Sequence, residues 1–294
     1  MATHRMRFGA KLPDFGPKVY DFPLAESARR AEGAGFDSVW VSDHVVMLRE
    51  TKSPYPYSKD GVITWDPAAA RFDAIVSMST AAAATERVEI GVAVLIAAMR
   101  NPLVLAKQIA TLDVVSGGRV VLGTGAGWLR EEFEALQVPF ESRGSRLNEW
   151  IDILRECWSG EPTTLEYENY RLPEGILCHP TPLHDIPILI GGMSRHAMRR
   201  VGERGDGWLA FQRAENVDIA AIRAGMDQCR TLAKSLGREQ TLRTVVRITG
   251  PLTSVVQHLR PLADIGVSDV IVEVDWLTDD GPRQTLEALR SAVQ

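Results

Sequence analysis

The sequence predicts a closed (β/α)8 barrel, a parallel sheet rolled into a cylinder and wrapped by helices. Three observations point there. Short β-branched runs alternate with amphipathic stretches from one end of the 294 residues to the other. Eight such runs can be counted, and several, VEIGVAVLI and VIVEV among them, are almost wholly apolar. Strands covered by helices on both faces read that way. Repetition of strand and helix eight times favours closure over an open doubly wound sheet, which pattern by itself leaves as the alternative.

The strand candidates fall at residues 6–10, 37–42, 87–95, 119–124, 187–191, 207–211, 242–249 and 269–274. Helix punctuation lies between them. The helix at 24–34 runs into the phrase EGAGFDSVWVSD, a helix–glycine–strand step with Gly35 at the stop. Asp66-Pro67 and Asn101-Pro102 each set a capping side chain before a proline at the first helical position, and Gly117-Gly118 marks another helix end. Two segments are too long for plain connections. One is 44–65; the other runs from 128 to about 186 and reads as a helix at 144–158, a polar–aromatic stretch TTLEYENYRL and a proline-rich loop. Long insertions after barrel strands sit on the rim where barrels do chemistry. No linker-like stretch divides the chain, so it reads as one domain over 1–294.

Composition narrows the function classes. With 45% hydrophobic and 24% charged residues the chain is an ordinary globular one, and its length can bury a large core. A net charge of −5 creates no field to gather nucleic acid or anionic membrane, so neither partner is expected. Any phosphate would have to be held by local features. Cys157, Cys178 and Cys229 are odd in number, far apart and form no CxxC pair, which argues against a disulfide scaffold or zinc site and suits a reducing cytoplasm. The start, MATHRMRFGA, carries no apolar signal core, and no run reaches the roughly 18 apolar residues a membrane span needs. A cytoplasmic protein is expected.

Residues at strand ends carry the functional signal. The second strand ends in Asp43-His44; a carboxylate and an imidazole there lie at the mouth, where histidine can move protons near neutral pH. The alternative is that Asp43 caps a turn and His44 serves a loop carbonyl. The third strand, through Ala93, Val94 and Leu95, is apolar, so it offers backbone and flat packing, or simply core. The fourth ends in LGTGAGW. Gly125 and Gly127 flanking Ala126 would let a ligand approach the backbone, though glycines at a strand end also merely turn the chain, and this is not the dinucleotide fingerprint. Trp128 could stack on a ring or plug the rim. After the fifth strand come Gly191, Gly192, Met193, Ser194 and Arg195; a serine N-cap opening a helix with arginines in its first turns makes an anion site, unless those arginines form a solvated face. His179 and His184 have no ligand spacing, no metal is expected, and neither a GxSxG elbow nor an HExxH helix is present.

Taken together, GFDSVWVSDH, RVEIGVAVLIAAMRNPLVLAKQIATLDVVSGGRVVLGTGAGWLREEFEALQVPF and IPILIGGMSRHAMRRVGERGDGW resemble the luciferase-like monooxygenase superfamily, and within it the branch that uses the deazaflavin coenzyme F420. The resemblance runs from Met6 to about Leu289. It implies an oxidoreductase that moves hydride between F420 and a small organic substrate, with FMN in a two-component monooxygenase as the alternative and a non-catalytic flavin-binding barrel as a further one. It implies that His44 is the acid–base residue beside the ring, and that Asp43, Ala93, Val94, Leu95, Gly125, Ala126, Gly127 and Gly191 to Arg195 hold the cofactor. A non-prolyl cis peptide is expected at Ala93-Val94. A homodimer and a separate reductase supplying reduced cofactor are the implied partners. One departure matters. Trp128 and Glu131 stand where the glucose-6-phosphate dehydrogenase branch carries a catalytic glutamate and an asparagine, so an apolar or planar substrate, walled by Trp128, is expected in place of a sugar phosphate.

Overall fold

The computed structural model describes residues 5–293. In chain order the elements are β1 (Arg7–Lys11), α1 (Leu24–Ala34), β2 (Ser38–Val41), α2 (Ala74–Ala84), β3 (Glu89–Leu95), α3 (Pro102–Ser116), β4 (Val120–Thr124), α4 (Arg130–Ala135), α5 (Arg143–Trp158), β5 (Leu165–Glu166), β6 (Arg171–Leu172), β7 (Ile188–Gly191), α6 (Arg195–Arg204), β8 (Gly207–Arg213), α7 (Ile219–Ser235), β9 (Arg243–Thr249), α8 (Leu252–Asp264), β10 (Asp269–Glu273) and α9 (Gly281–Ser291). Eight strands close a barrel in the order β1-β10-β9-β8-β7-β4-β3-β2, and β5 with β6 forms a separate two-stranded hairpin. The closing pair is parallel, with Arg7 opposite Asp269 and Lys11 opposite Glu273, which excludes the open sheet. Each strand candidate of the sequence is a barrel strand, with ends shifted by a residue or two.

The barrel interior is filled around one indole. Trp40 on β2 is fully buried, and its Nε1–H donates to Ser38 Oγ at 2.8 Å. The neighbouring strands make room for it: a Cβ on Gly9 of β1 would come within 2.5 Å of the ring, and one on Gly91 of β3 within 2.3 Å. Ala93, Val121, Leu189, Leu209, Val245 and Ile271 complete this inner cluster. Removing a buried indole of this kind costs about 3–5 kcal/mol.

Helix ends follow the local chemistry, with one exception. Asn101 Oδ1 accepts from the amides of Leu103 and Val104 ahead of Pro102, and Gly117 ends α3 at φ +74°, a left-handed position that costs glycine nothing. Ser194 caps α6 by accepting from Ala197 N. Asp66-Pro67, by contrast, opens no helix. Asp66 Oδ1 accepts from Ala68 N within a turn, and α2 starts seven residues later, capped by Asp73 accepting from Val76 N. Proline-compatible turns and helix starts share their first residues, and only packing separates them. The polar–aromatic stretch after α5 contains the β5–β6 hairpin, which sequence patterning did not anticipate.

At the N-terminal end of the barrel, charges close the strands' starts. Arg243 Nη2 lies 2.5 Å from Asp269 Oδ1 and 2.8 Å from Glu89 Oε2, and Arg7 Nη2 lies 2.9 Å from Glu89 Oε2. The opposite end is left for the site.

Candidate functional site

A cavity of about 1990 Å³ opens at the C-terminal ends of the strands. That is larger than the 300–1,000 Å³ typical of a single small-ligand pocket, so a large cofactor and a substrate fit together.

His44 stands at its edge just beyond β2. Its Nδ1 lies 2.7 Å from Oε2 of Glu132, a fully buried carboxylate on α4. Glu132 Oε1 accepts from the amides of Val45 at 2.6 Å and Val46 at 3.3 Å. A carboxylate accepts only, so Nδ1 carries the proton and Nε2 is the nitrogen left for other partners. Asp43 lines the cavity, but its carboxylate is engaged within the protein. Its side chain has no exposed surface; it accepts from Ile96 N at 2.9 Å and takes both Nη groups of Arg100 at 2.7 Å. Asp43 therefore ties the end of β2 to the end of β3.

The Ala93-Val94 peptide bond is cis. Ala93 O accepts from Arg247 Nη1 at 2.9 Å, and both residues line the cavity. Leu95 does not: it is fully buried in the core, and its carbonyl accepts from Gly125 N at 3.0 Å and Thr124 Oγ1 at 2.9 Å. Ala93 belongs to the inner cluster, with Val94 packed against it, and Leu95 to the outer core, with the register of β3 against β4 shifting between Val92 and Leu95. Gly125, Ala126, Gly127 and Gly191 line the cavity as expected, but the reason for two of the glycines differs. A Cβ on Gly125 would meet Val94 Cγ2 at 2.9 Å, and one on Gly191 would meet Val94 Cγ1 at 2.5 Å. These glycines admit the valine side chain between β4 and β7.

Gly192, Met193 and Ser194 lead from β7 into α6 and line the same cavity. Gly192 has φ +118°, and its carbonyl accepts from Trp208 Nε1 at 2.7 Å. The free amides of the first turn of α6 make this end suitable for an anion. Arg195 is exposed and lies outside the cavity lining, because the first turn of α6 points it to solvent. The cations on the cavity here are Arg200, one and a half turns on, and Arg143 on α5. Arg200 is buried, with Nε donating to Asn148 Oδ1 at 2.5 Å and Nη2 to Gly144 O at 3.1 Å. Burial pulls its guanidinium below the ordinary arginine range. Helix amides, Ser194, His196, Arg143 and Arg200 together form a donor set that fits the phosphate of a flavin or deazaflavin.

The segment 44–73 between β2 and α2 covers the other side. Tyr55 packs edge-on against Trp65 (centroids 4.8 Å apart) and Trp128 (5.2 Å), and Tyr57 lies tilted against Phe211 (4.4 Å). Trp128 also meets His44 edge-on at 6.0 Å, so the indole forms a wall beside the imidazole. Glu131 clamps this segment: it accepts from Lys52 N at 2.5 Å, Ser53 N at 3.1 Å and Ser53 Oγ at 2.7 Å. Burial pushes its carboxyl up, but the Ser53 hydroxyl and these amides outweigh burial and hold it at about 2.

The structure thus brings together Asp43, His44, Ala93, Val94, Gly125 to Trp128 and Gly191 to Ser194 at one cavity, and leaves Leu95 and Arg195 off it. Sequence reasoning missed Glu132, Arg100, Arg143, Arg200 and the aromatic members of the 44–73 segment. Their partners are distant in the chain, and no local spacing marks them; for Glu132 the only hint is its place on the helix that follows Trp128.

The family model described as luciferase-like monooxygenase matches residues 22–256. An uncharacterized protein of Mycobacterium tuberculosis is 31% identical over 269 residues, covering 91% of this chain and 88% of its own. The F420-dependent glucose-6-phosphate dehydrogenase of Amycolatopsis mediterranei is 32% identical over 209 residues, covering 70% of this chain and 56% of its own. Among solved structures, an F420-dependent secondary alcohol dehydrogenase in complex with an F420-acetone adduct superposes with a TM-score of 0.76 at 16% identity, covering 99% of both chains. The oxygenating constituent of 3,6-diketocamphane monooxygenase from Pseudomonas putida, in complex with FMN, superposes with a TM-score of 0.69 at 17% identity, covering 98% of this chain and 97% of that one. At these identities the structural likeness speaks to the fold.

Proposed function

The chain belongs to the luciferase-like monooxygenase family, and from that premise we propose that it is an oxidoreductase working with coenzyme F420 on a small planar organic substrate. The observation that carries the reading is the His44–Glu132 pair, set at the edge of the cavity whose far end is fitted for a phosphate. F420-dependent activity in a relative that is 32% identical supports the deazaflavin over FMN.

A tricyclic redox cofactor supplies the hydride chemistry when bound. This chain's residues do the rest. The α6 amides, Ser194, Arg143 and Arg200 would hold its phosphate, and the Ala93-Val94 backbone with Gly125 to Gly127 would support its ring. His44 Nε2 gives or takes the proton that accompanies substrate reduction or oxidation, while Glu132 keeps Nδ1 protonated and the ring oriented. Trp128 and the 44–73 segment exclude water from the substrate side.

Titration of the purified protein with F420 and with FMN, followed by ring absorbance and fluorescence, tests this. Saturable binding of F420, tighter than FMN, is expected. Tighter FMN binding, with oxygen from O2 in the product, would convert the reading to a monooxygenase served by a separate reductase. Binding of neither would end it.

A further inference from the structure

The cavity holds a second positive centre, remote from the α6 end. Counting around the barrel order, β1 lies four strands from β7 in either direction, so the two are diametrically opposed. Phe15 follows β1 and bridges Arg71 of the 44–73 segment, and both line the cavity. The guanidinium carbon of Arg71 lies 3.9 Å above the Phe15 ring, and Trp65 packs edge-on to the same ring at 6.0 Å.

What distinguishes this end is its unmatched donors. Among the described residues, Arg71 Nε and Nη2, Trp65 Nε1 and Arg247 Nε are buried without a hydrogen-bond partner. All four belong to residues lining the cavity, and all four are donors. Leaving one such group unpaired is costly, and more so where it is charged. Among the described residues no carboxylate lies within salt-bridge distance of Arg71; Glu132 and Asp43 act on it only at longer range. Asp43 is committed to Arg100, Glu132 to His44 and the amides of Val45 and Val46, and Glu273 to Arg247. Burial lowers the Arg71 guanidinium to about 10; Glu132 and Asp43 offset part of this from a distance and Arg247 adds to it, so the cation sits in a setting that disfavours it.

Nε and Nη2 lie along one edge of a guanidinium, the fork that meets a carboxylate with two parallel hydrogen bonds. The surroundings are flat and apolar: Phe15, Tyr55, Trp65 and Trp128. We propose that this end of the cavity is a substrate subsite for a planar carboxylate, aromatic or conjugated, whose two oxygens take the Nε–Nη2 edge of Arg71 with Trp65 Nε1 as a neighbouring donor. The proposal rests on the redox reading above for the ligand being a substrate. It narrows the substrate from a planar organic molecule to a planar organic anion. Because the fork is shielded from bulk water, entry of the carboxylate goes with parting of the aromatic contacts of the 44–73 segment.

Benzoate and benzamide match in shape and differ in charge, so they test it on the full-length protein without turnover. Each is titrated at pH 7.5 while tryptophan emission is followed, since Trp65 and Trp128 both line the cavity. Benzoate is expected to bind at least about tenfold tighter than benzamide, as befits a bidentate charged pair. Arg71→Met should erase that preference, Arg71→Lys should keep part of it, and Trp65→Phe, which retains the ring on Phe15, should weaken benzoate a few-fold. F420 and FMN affinities should stay within about twofold throughout. Should Arg71→Met fail to fold, Arg71→Lys and Trp65→Phe carry the test. Equal binding of the two probes, no saturable benzoate binding, a preference that survives in Arg71→Met, or loss of cofactor affinity in that variant would each overturn the subsite. If the wild type binds neither cofactor yet prefers benzoate through Arg71, the redox function falls and the carboxylate subsite stands.

Discussion

Nδ1 of His44 and Oε2 of Glu132 are 2.7 Å apart across 88 residues of sequence. The pair couples the end of β2 to α4 and decides which imidazole nitrogen faces the cavity. Replacing His44 by Ala should lower turnover by about 10²–10⁴-fold with cofactor affinity nearly intact. Glu132→Gln should lower turnover about tenfold, and the double variant should be no slower than His44→Ala, because both changes act through one imidazole. Steady-state kinetics with a separate cofactor titration checks both; additive losses would separate Glu132 from the histidine.

Val94 fills the space that Gly125 and Gly191 leave open. Gly191→Ala would drive a methyl to within 2.5 Å of Val94 Cγ1. A loss of about 1–3 kcal/mol in stability is expected, with weaker cofactor binding as the Ala93-Val94 shelf shifts. Adding Val94→Ala should recover much of the stability. Denaturant melts of the single and double variants measure this; a double variant no better than Gly191→Ala would refute the steric account.

Arg243 neutralises Asp269 and Glu89 at the barrel end remote from the site. Arg243→Met removes the close partner of the buried Asp269 carboxylate, leaving only Arg7 Nε at 3.7 Å, and should cost about 3 kcal/mol. Burial pushes Glu89 up, but Arg243 and Arg7 outweigh it and hold its carboxyl below the ordinary value of 4.5. A lowered carboxylate contributes stability above its ordinary value and loses it as pH falls through the lowered one. The deficit of Arg243→Met should therefore be largest near neutrality and shrink below pH 4.5, as followed by urea unfolding across pH.

Glu131 holds Lys52 and Ser53 against α4. Its carboxyl sits at about 2 in place of 4.5, so the clamp is complete above pH 4.5 and is lost as pH falls towards 2. Hydrogen exchange at the Lys52 and Ser53 amides should be about three- to tenfold faster in Glu131→Gln at neutral pH. The gap should close on acidification through that window. An unchanged exchange rate would remove Glu131 from the control of this segment.

Much of the molecule is legible in its sequence. VEIGVAVLI, VIVEV and their counterparts marked the barrel strands, because a strand buried on both faces has to be apolar throughout. Asn101-Pro102, Gly35, Gly117 and Ser194 marked helix ends, because capping is a contact between residues three or four apart. His44, Trp128 and the Gly191–Ser194 turn could be placed on the rim by their position after strands. The tertiary structure decided the rest: that Glu132 holds His44, that the Asp43 carboxylate pairs with Arg100, that Arg200 and not Arg195 lines the cavity, and that Arg71 lines it without an acceptor. Periodicity and capping act between neighbours, so the chain displays them openly. The pairing of a charge is settled by which distant segments closure of the barrel brings within about 3 Å, and no local pattern records that distance.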